Sequence, residues 1–473
     1  MLENIFHLYY TGNYSKLLKA IDEFVPYNLN DASKEQLRAA ILKTKILHYR
    51  NQYRLARDYL REVKGICNDH KDRRLIMHVL ANEFYIYYLE DEFQKVVHIP
   101  RECDLISDEL KAKNIPLWPL LEIDYLTNKD ILFRLQGQID KADRCTEKII
   151  AVRQEVGDIQ GLVHSYNNFI QSLTMKGDFS RAESYIDKSY DIIKDNETPY
   201  KLAFLHLDAG NIKMEKGELK GAEEEFSLAL EFAVQSNNSL YQSEICLSFL
   251  MLYLLLGKLE KADQMLRELQ KIKRDDNYLF SYTLDFGTAL LLQERGGLEN
   301  LATAKKLLIK LLGNNLDTTT GIQIYYRYGL ILINELKLDP NEDIIDELEM
   351  IINKLLSQSR GVDSPYMMVK ALMLQSELFL IKGDLDSVYE TIINAQSLCN
   401  KHELFHNKKL IDAQIHKLKE ELTNIESIFL KSSQIRAKFK NEELDEFIDK
   451  IIWASKNWKT KNQGDPELAS GNT

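Results

Sequence analysis

Proline is scarce in this chain of 473 residues, which holds only 8, and glycine stands at 20. So few breakers argue against a sandwich of many short strands and against a long disordered chain, and they suit helix. Cysteine is limited to Cys67, Cys103, Cys145, Cys246 and Cys399, odd in number, widely spaced and without a Cys-x-x-Cys pair. Neither a disulfide framework nor a thiolate zinc site is indicated, and the expectation is of reduced, mostly buried thiols in a cytoplasmic protein.

Long apolar runs are missing too. The longest, residues 246–256, is interrupted by Ser248, and residues 1–6 lack the basic start and apolar stretch of a secretory signal, so no membrane partner is expected. Positive charge is in deficit, with 61 Lys and Arg against 72 Asp and Glu, a formal charge of −11. That balance repels a phosphate backbone, and no nucleic-acid partner is expected. Phosphate-cradling glycine loops and the Gly-x-Ser-x-Gly elbow are absent, so no cofactor is expected either.

What the chain does contain is a cadence. Gly177-Asp178-Phe179-Ser180-Arg181-Ala182 returns forty residues later as Gly217-Glu218-Leu219-Lys220-Gly221-Ala222. A glycine ends one amphipathic helix, a large apolar residue opens the next, and an alanine follows five after the glycine, where two helices must approach closely. Clear copies stand at Gly137 with Ala142 and Gly257 with Ala262, and a looser one at Gly297 with Ala302. Weaker copies begin at Gly12, Asn51 and Asp91, a degenerate one lies near Leu338-Asp339-Pro340, and Gly383 with Val388 closes the series. Two intervals are about six residues too long, and both contain proline, at residues 114–119 and 359–365, which places the extra residues in loops. Apolar positions such as Ala222, Phe226 and Ala229 recur at i, i+4 and i+7, and no stretch alternates with period two.

The turn glycine, the apolar residue two later, the alanine five later and the large and small pair beyond it resemble the tetratricopeptide (TPR) family. Gly177, Phe179, Ala182, Ile186 and Ser189, and Gly217, Leu219, Ala222, Phe226 and Ala229, carry the match over roughly residues 1–400. The period exceeds the family's usual ~34 residues, so longer helices are expected, as in the extended repeats of bacterial regulators and peptide-pheromone receptors. The resemblance implies an all-α fold, a right-handed superhelical solenoid of about nine helix pairs over residues 1–400. Capping helices are expected over 401–458 and a disordered polar tail over 459–473.

In such a stack the first helix of each pair lines the concave face, and equal repeat positions form ladders. Nine residues before each turn stand Asn82, Asn128, Asn168, Asp208 and Ser248; thirteen before stand His78, Asp124, His164, Phe204 and Glu244; six before stand Tyr85, Ile131, Gln171, Asn211 and Met251. These offsets share one helical face. By the resemblance they are the peptide-contacting offsets, and the candidate groove set is His78, Asn82, Tyr85, Asp124, Asn128, His164, Asn167, Asn168, Gln171, Asp208, Asn211 and Glu244. An asparagine amide can pair with a peptide bond through both donor and acceptor, with Tyr166 and Phe204 nearby to select side chains. The basic residues of the family's carboxylate clamp are missing, which points to a neutral or basic peptide segment.

One enzyme-like string competes. His402-Glu403-Leu404-Phe405-His406 matches the H-E-x-x-H pattern of zinc hydrolases, with Glu426 downstream as a third ligand. The expected absence of a sheet, and the string's place at the end of the array, favour exposed histidines at a helix start. The reading is therefore a non-catalytic protein- or peptide-binding scaffold or adaptor, with a peptide-sensing regulator and a zinc hydrolase as alternatives. A homo-oligomer is compatible with it.

Overall fold

The computed structural model describes residues 1–402, 404, 411 and 412, except 12, 50, 51, 90–96, 194–198, 273–277, 314–317, 339, 340 and 383. The turn residues of the three weaker copies, at 12, 51 and 91, and of the closing copy, at 383, lie outside the described residues, as do nearly all of the expected cap and the whole tail.

Among the described residues the chain is α-helical, with one short 3-10 turn at Leu29–Asp31 and no strand. The helices are α1 (Leu2–Tyr10), α2 (Tyr14–Phe24), α3 (Lys34–Tyr49), α4 (Tyr53–Asp69), α5 (Arg73–Leu89), α6 (Ile99–Ala112), α7 (Pro119–Leu135), α8 (Ile139–Val156), α9 (Ile159–Lys176) and α10 (Phe179–Ile193). They continue as α11 (Pro199–Glu215), α12 (Leu219–Gln235), α13 (Ser239–Leu255), α14 (Leu259–Lys271), α15 (Tyr278–Arg295), α16 (Leu298–Leu312), α17 (Thr318–Leu338), α18 (Glu342–Gly361), α19 (Pro365–Ile381) and α20 (Leu385–Lys401).

The turn chemistry sets these boundaries. Gly137, Gly177, Gly217 and Gly257 have φ of 70°, 81°, 78° and 66°, a region in which a Cβ is strained. The alanines five residues on, Ala142, Ala182, Ala222 and Ala262, are wholly buried where the paired helices cross. In α12 the apolar stripe Ala222, Phe226, Ala229 and Ala233 is completely buried. Asn238 and Ser364 cap α13 and α19 by accepting from the Tyr241 and Met367 amides at 3.0 and 3.1 Å, and Pro365 occupies the first turn of α19.

Two details differ from the sequence expectation. At the looser copy Ala302 is exposed, and the buried stripe of α16 is Leu301, Ala304, Leu308 and Leu311. With Gly296 and Gly297 both at positive φ and Gly297 as the N-cap, the helix enters in a shifted register. The second long interval is taken up by helix as well as loop: α17 and α18 run to 21 and 20 residues, and α18 includes Ser359 to Gly361, which proline was expected to keep in a loop. Pro365 restricts only the residue before it, so the helix ahead is free to continue to Gly361.

The contacts fall into two compact units, residues 1–174 with 179–208, and residues 175–178 with those from Ala209 on; the sequence cadence suggested a single array over 1–400. In the first unit successive helices pack as neighbours from α3 to α8, and α1, α3, α5 and α7 also touch in series. Its core clusters are continuous with this series, for example Ile5, Tyr9, Leu17 and Ile21 against Ala39, Leu42, Ile46 and Leu120. Trp118, ahead of α7, carries the Arg38 and Arg74 guanidiniums 4.2 and 4.4 Å from its ring, tying α3 and α5 to that loop.

In the second unit α12 to α16 and α17 to α20 pack as neighbours, with α13 against α15 and α17 against α19. Contacts remote in sequence close it. Ser364 Oγ donates to the Met175 carbonyl at 2.7 Å, and the Tyr366 hydroxyl donates to Glu215 at the end of α11.

One close approach in the second unit is at Gly210, where a Cβ would overlap the Phe226 ring. Gly210→Ala is expected to cost about 1–3 kcal/mol, read as a lower denaturation midpoint; an unchanged midpoint contradicts this packing.

Candidate functional site

The expected ladders do lie on the first helices of the pairs, but their polar atoms are used very unequally. In the first unit His78, Asn82 and Tyr85 stand on α5, Asp124 and Asn128 on α7, His164, Asn167, Asn168 and Gln171 on α9, and Asp208 on α11. Asn211 and Glu244 belong to the second unit.

Apart from Tyr85, the α5 and α7 members are buried, and their side-chain bonds stay within α3, α5 and α7. Asn82, 2% exposed, donates to the His78 carbonyl at 3.0 Å and to Asp124 Oδ2 at 3.2 Å. Asn128, 1% exposed, donates to the Ala81 carbonyl at 2.9 Å. His78 Nε2 lies 3.3 Å from Asp124 Oδ2, and the Lys45 ammonium of α3 donates to Asp124 Oδ1. Lys45 also faces the rings of Tyr9 and Tyr85, at 6.0 and 5.6 Å. Tyr85 is thus half-buried against a cation of its own chain.

Burial would raise the Asp124 carboxyl, but Lys45 and His78 outweigh it and leave it at about 2. For His78 burial dominates over the attraction of Asp124 and lowers the imidazole, which is neutral at pH 7. The charged pair is therefore Lys45 with Asp124. It links the first helices of two pairs and leaves little on α5 and α7 for a ligand.

On α9 the arrangement differs. Asn167 is buried and donates to Asp208 of α11, joining those helices. One step round the helix, His164 and Gln171 are exposed and Asn168 is half-buried, at i, i+7 and i+4 on a single face. The His164 ring reaches solvent yet is surrounded by protein on its other sides. That enclosure, followed by the charges of Arg153 and Lys45, pushes it down to about 4. This face is consequently polar and uncharged at neutral pH. Tyr166 and Phe204, expected as selectors, are buried at 4% and 5% exposure, and Tyr166 packs edge-on to Tyr185 at 5.1 Å.

In the second unit Asn211 accepts from Ser248 at 3.2 Å, bridging α11 and α13. Glu244 on α13 is half-buried, and burial raises its carboxyl to about 7.

The sequence reading missed Lys45, Arg153 and Lys201. Lys45 is buried on α3 while Lys43, two residues before it, is more exposed; its place six before Asn51, the offset of Tyr85 and Gln171, is the signal that could have found it. Arg153 Nε lies 3.6 Å from Asp158, and burial lowers the Lys201 ammonium to about 8 against the opposing pull of Asp158.

Of the zinc string only His402 and Leu404 are described; Glu403, His406 and Glu426 lie outside the described residues. Among the described residues no group of three His, Cys, Asp or Glu side chains could hold a metal. No described helix is long and apolar enough to cross a membrane. All five cysteines are buried and unbridged.

No family model matches the chain, and no curated protein matches it. Solved structures similar to it share helical-repeat folds at low identity. One is the human IFIT1 dimer with m7Gppp-AAAA, 14% identical, covering 96% of this chain and 94% of that one with a TM-score of 0.44. A second is the apo form of RapI, 13% identical over 80% and 98% of the two chains, with a TM-score of 0.41. A third is a STAND signal-transduction ATPase with a tetratricopeptide repeat sensor from Pyrococcus horikoshii, 13% identical over 75% and 54%, with a TM-score of 0.36.

Two outcomes test this geometry. Asp124→Asn leaves the Lys45 charge buried and unpaired and is expected to cost about 3–5 kcal/mol, whereas replacing both residues by apolar ones costs much less; equal losses contradict the buried pair. The Glu244 carboxyl holds its proton up to about 7 in the folded chain against an ordinary value of 4.5. Its contribution to stability is full below 4.5 and is lost as pH rises through 7. Glu244→Gln should therefore flatten the fall in denaturation midpoint across that window, and an unchanged slope contradicts the shift.

Proposed function

We propose that the chain is a non-catalytic binding scaffold whose first unit holds an uncharged, extended peptide segment of a partner protein against the His164, Asn168 and Gln171 face of α9. The observation that carries this reading is the contrast along the ladders. Asn82, Asn128 and Asn167 are buried and donate to other helices or their own, while the equivalent α9 face stays open. An open row of amides can take up peptide N–H and C=O groups without reading side chains. The neutral state of His164 and the positive charges of Arg153 and Lys45 that reach it disfavour a basic segment, which narrows the expectation to a neutral one.

The full-length chain presented with a displayed library of short random peptides should enrich uncharged sequences. Replacing Asn168 and Gln171 together by alanine removes two hydrogen-bonding side chains and should weaken the enriched peptides by about tenfold or more, with helicity unchanged. Equal binding to the variant overturns this site.

A further inference from the structure

A second surface of the first unit has the opposite character. Between α6, α7 and α8 lies a cleft of about 340 Å³. Five basic side chains line it, Lys111, Lys129, Lys141, Arg144 and Lys148, against the single carboxylate of Glu122. This concentration of positive charge stands on a chain of net charge −11. The floor is apolar, with Leu126, Phe133 and Cys145.

The cations are not equally committed. Lys129 donates to Asp104 at 2.9 Å, and Lys111 lies 3.6 Å from Asp108. Lys141, Arg144 and Lys148 are exposed and have no acidic partner among the described residues. They form one stripe of α8 at i, i+3 and i+7, about 10.5 Å long at 1.5 Å per residue. Ser107, 1% exposed at the cleft wall, has a hydroxyl with no hydrogen-bond partner among the described residues.

We infer that this cleft docks an acidic amphipathic helix of a partner protein, with carboxylates spaced i, i+3 or i+4, and i+7 over the α8 stripe and apolar side chains entering between α6 and α7. The charge spacing matches that of a helix laid along α8, and the apolar floor gives its other side chains a place out of water. A stacked nucleic acid suits the cleft less well. The faces of Tyr125 and Phe133 already carry the Lys129 ammonium at 5.3 and 5.9 Å, and Phe133 also carries Lys141 at 5.6 Å, so bases would have to displace both lysines.

The test is fluorescence anisotropy on the full chain with a labelled helical peptide carrying glutamates at that spacing and leucines between them. A second peptide has glutamine in place of each leucine, and a single-stranded oligonucleotide carries the same charge. The first peptide should bind most tightly, and the variant Lys141→Glu, Arg144→Glu, Lys148→Glu should weaken it by about tenfold or more with an unchanged thermal midpoint. Leu126→Gln should weaken the leucine peptide and leave the glutamine peptide unaffected. No binding of the leucine peptide, equal binding of it to the charge-reversed variant, or tighter binding of the oligonucleotide than of either peptide overturns the inference.

Discussion

The first unit depends on a charge buried where a charge is costly. Lys45, Asp124, His78 and Asn82 stand on α3, α5 and α7, and their mutual bonds fix three successive first helices at one spacing and one rotation. Apolar packing alone, as between Ala39, Leu42 and Ile46 and their neighbours, tolerates some sliding. A buried ion pair with a neutral imidazole against one carboxylate oxygen tolerates far less, because any slip strands a charge away from water. The inner polar residues of α5 and α7 thus act mainly as fasteners, and the exposed part of α9 is what the fasteners leave over.

That division explains what was legible in the residues and what was not. The glycine and alanine cadence marked the helix pairs because the constraint is local: Gly217 must adopt φ of 78° and Ala222 must vanish into the crossing. Periodicity also placed Asn82, Asn128 and Asn168 on equivalent positions. It could not say that Asn82 and Asn128 bond within the fold while Asn168 is half-open: Lys45 stands six before Asn51, at the offset of Tyr85 and Gln171, yet it turns inward to Asp124, and Asn128 reaches the Ala81 carbonyl, contacts that no spacing reveals. The division into two units was equally hidden. The contacts that close the second, Tyr366 with Glu215 and Ser364 with Met175, join residues 151 and 189 apart and repeat nowhere.

Ala302 shows the same limit at small scale. It sits five residues after a turn glycine and is exposed, since two glycines in succession shift the entry of α16. The spacing of a motif fixes a residue's place along the chain; the preceding backbone dihedrals decide which way it faces. The basic stripe of α8 is the converse case, a pattern plain in the residues whose meaning comes only from the apolar cleft beside it.

Native-state hydrogen exchange addresses the fastening of α3, α5 and α7 most directly. If the buried Lys45 and Asp124 pair holds them as one body, their central amides open together, at a common free energy that responds to denaturant with a common slope. Opening of α3 at distinctly lower free energy than α5 and α7, with its own denaturant dependence, would contradict that account.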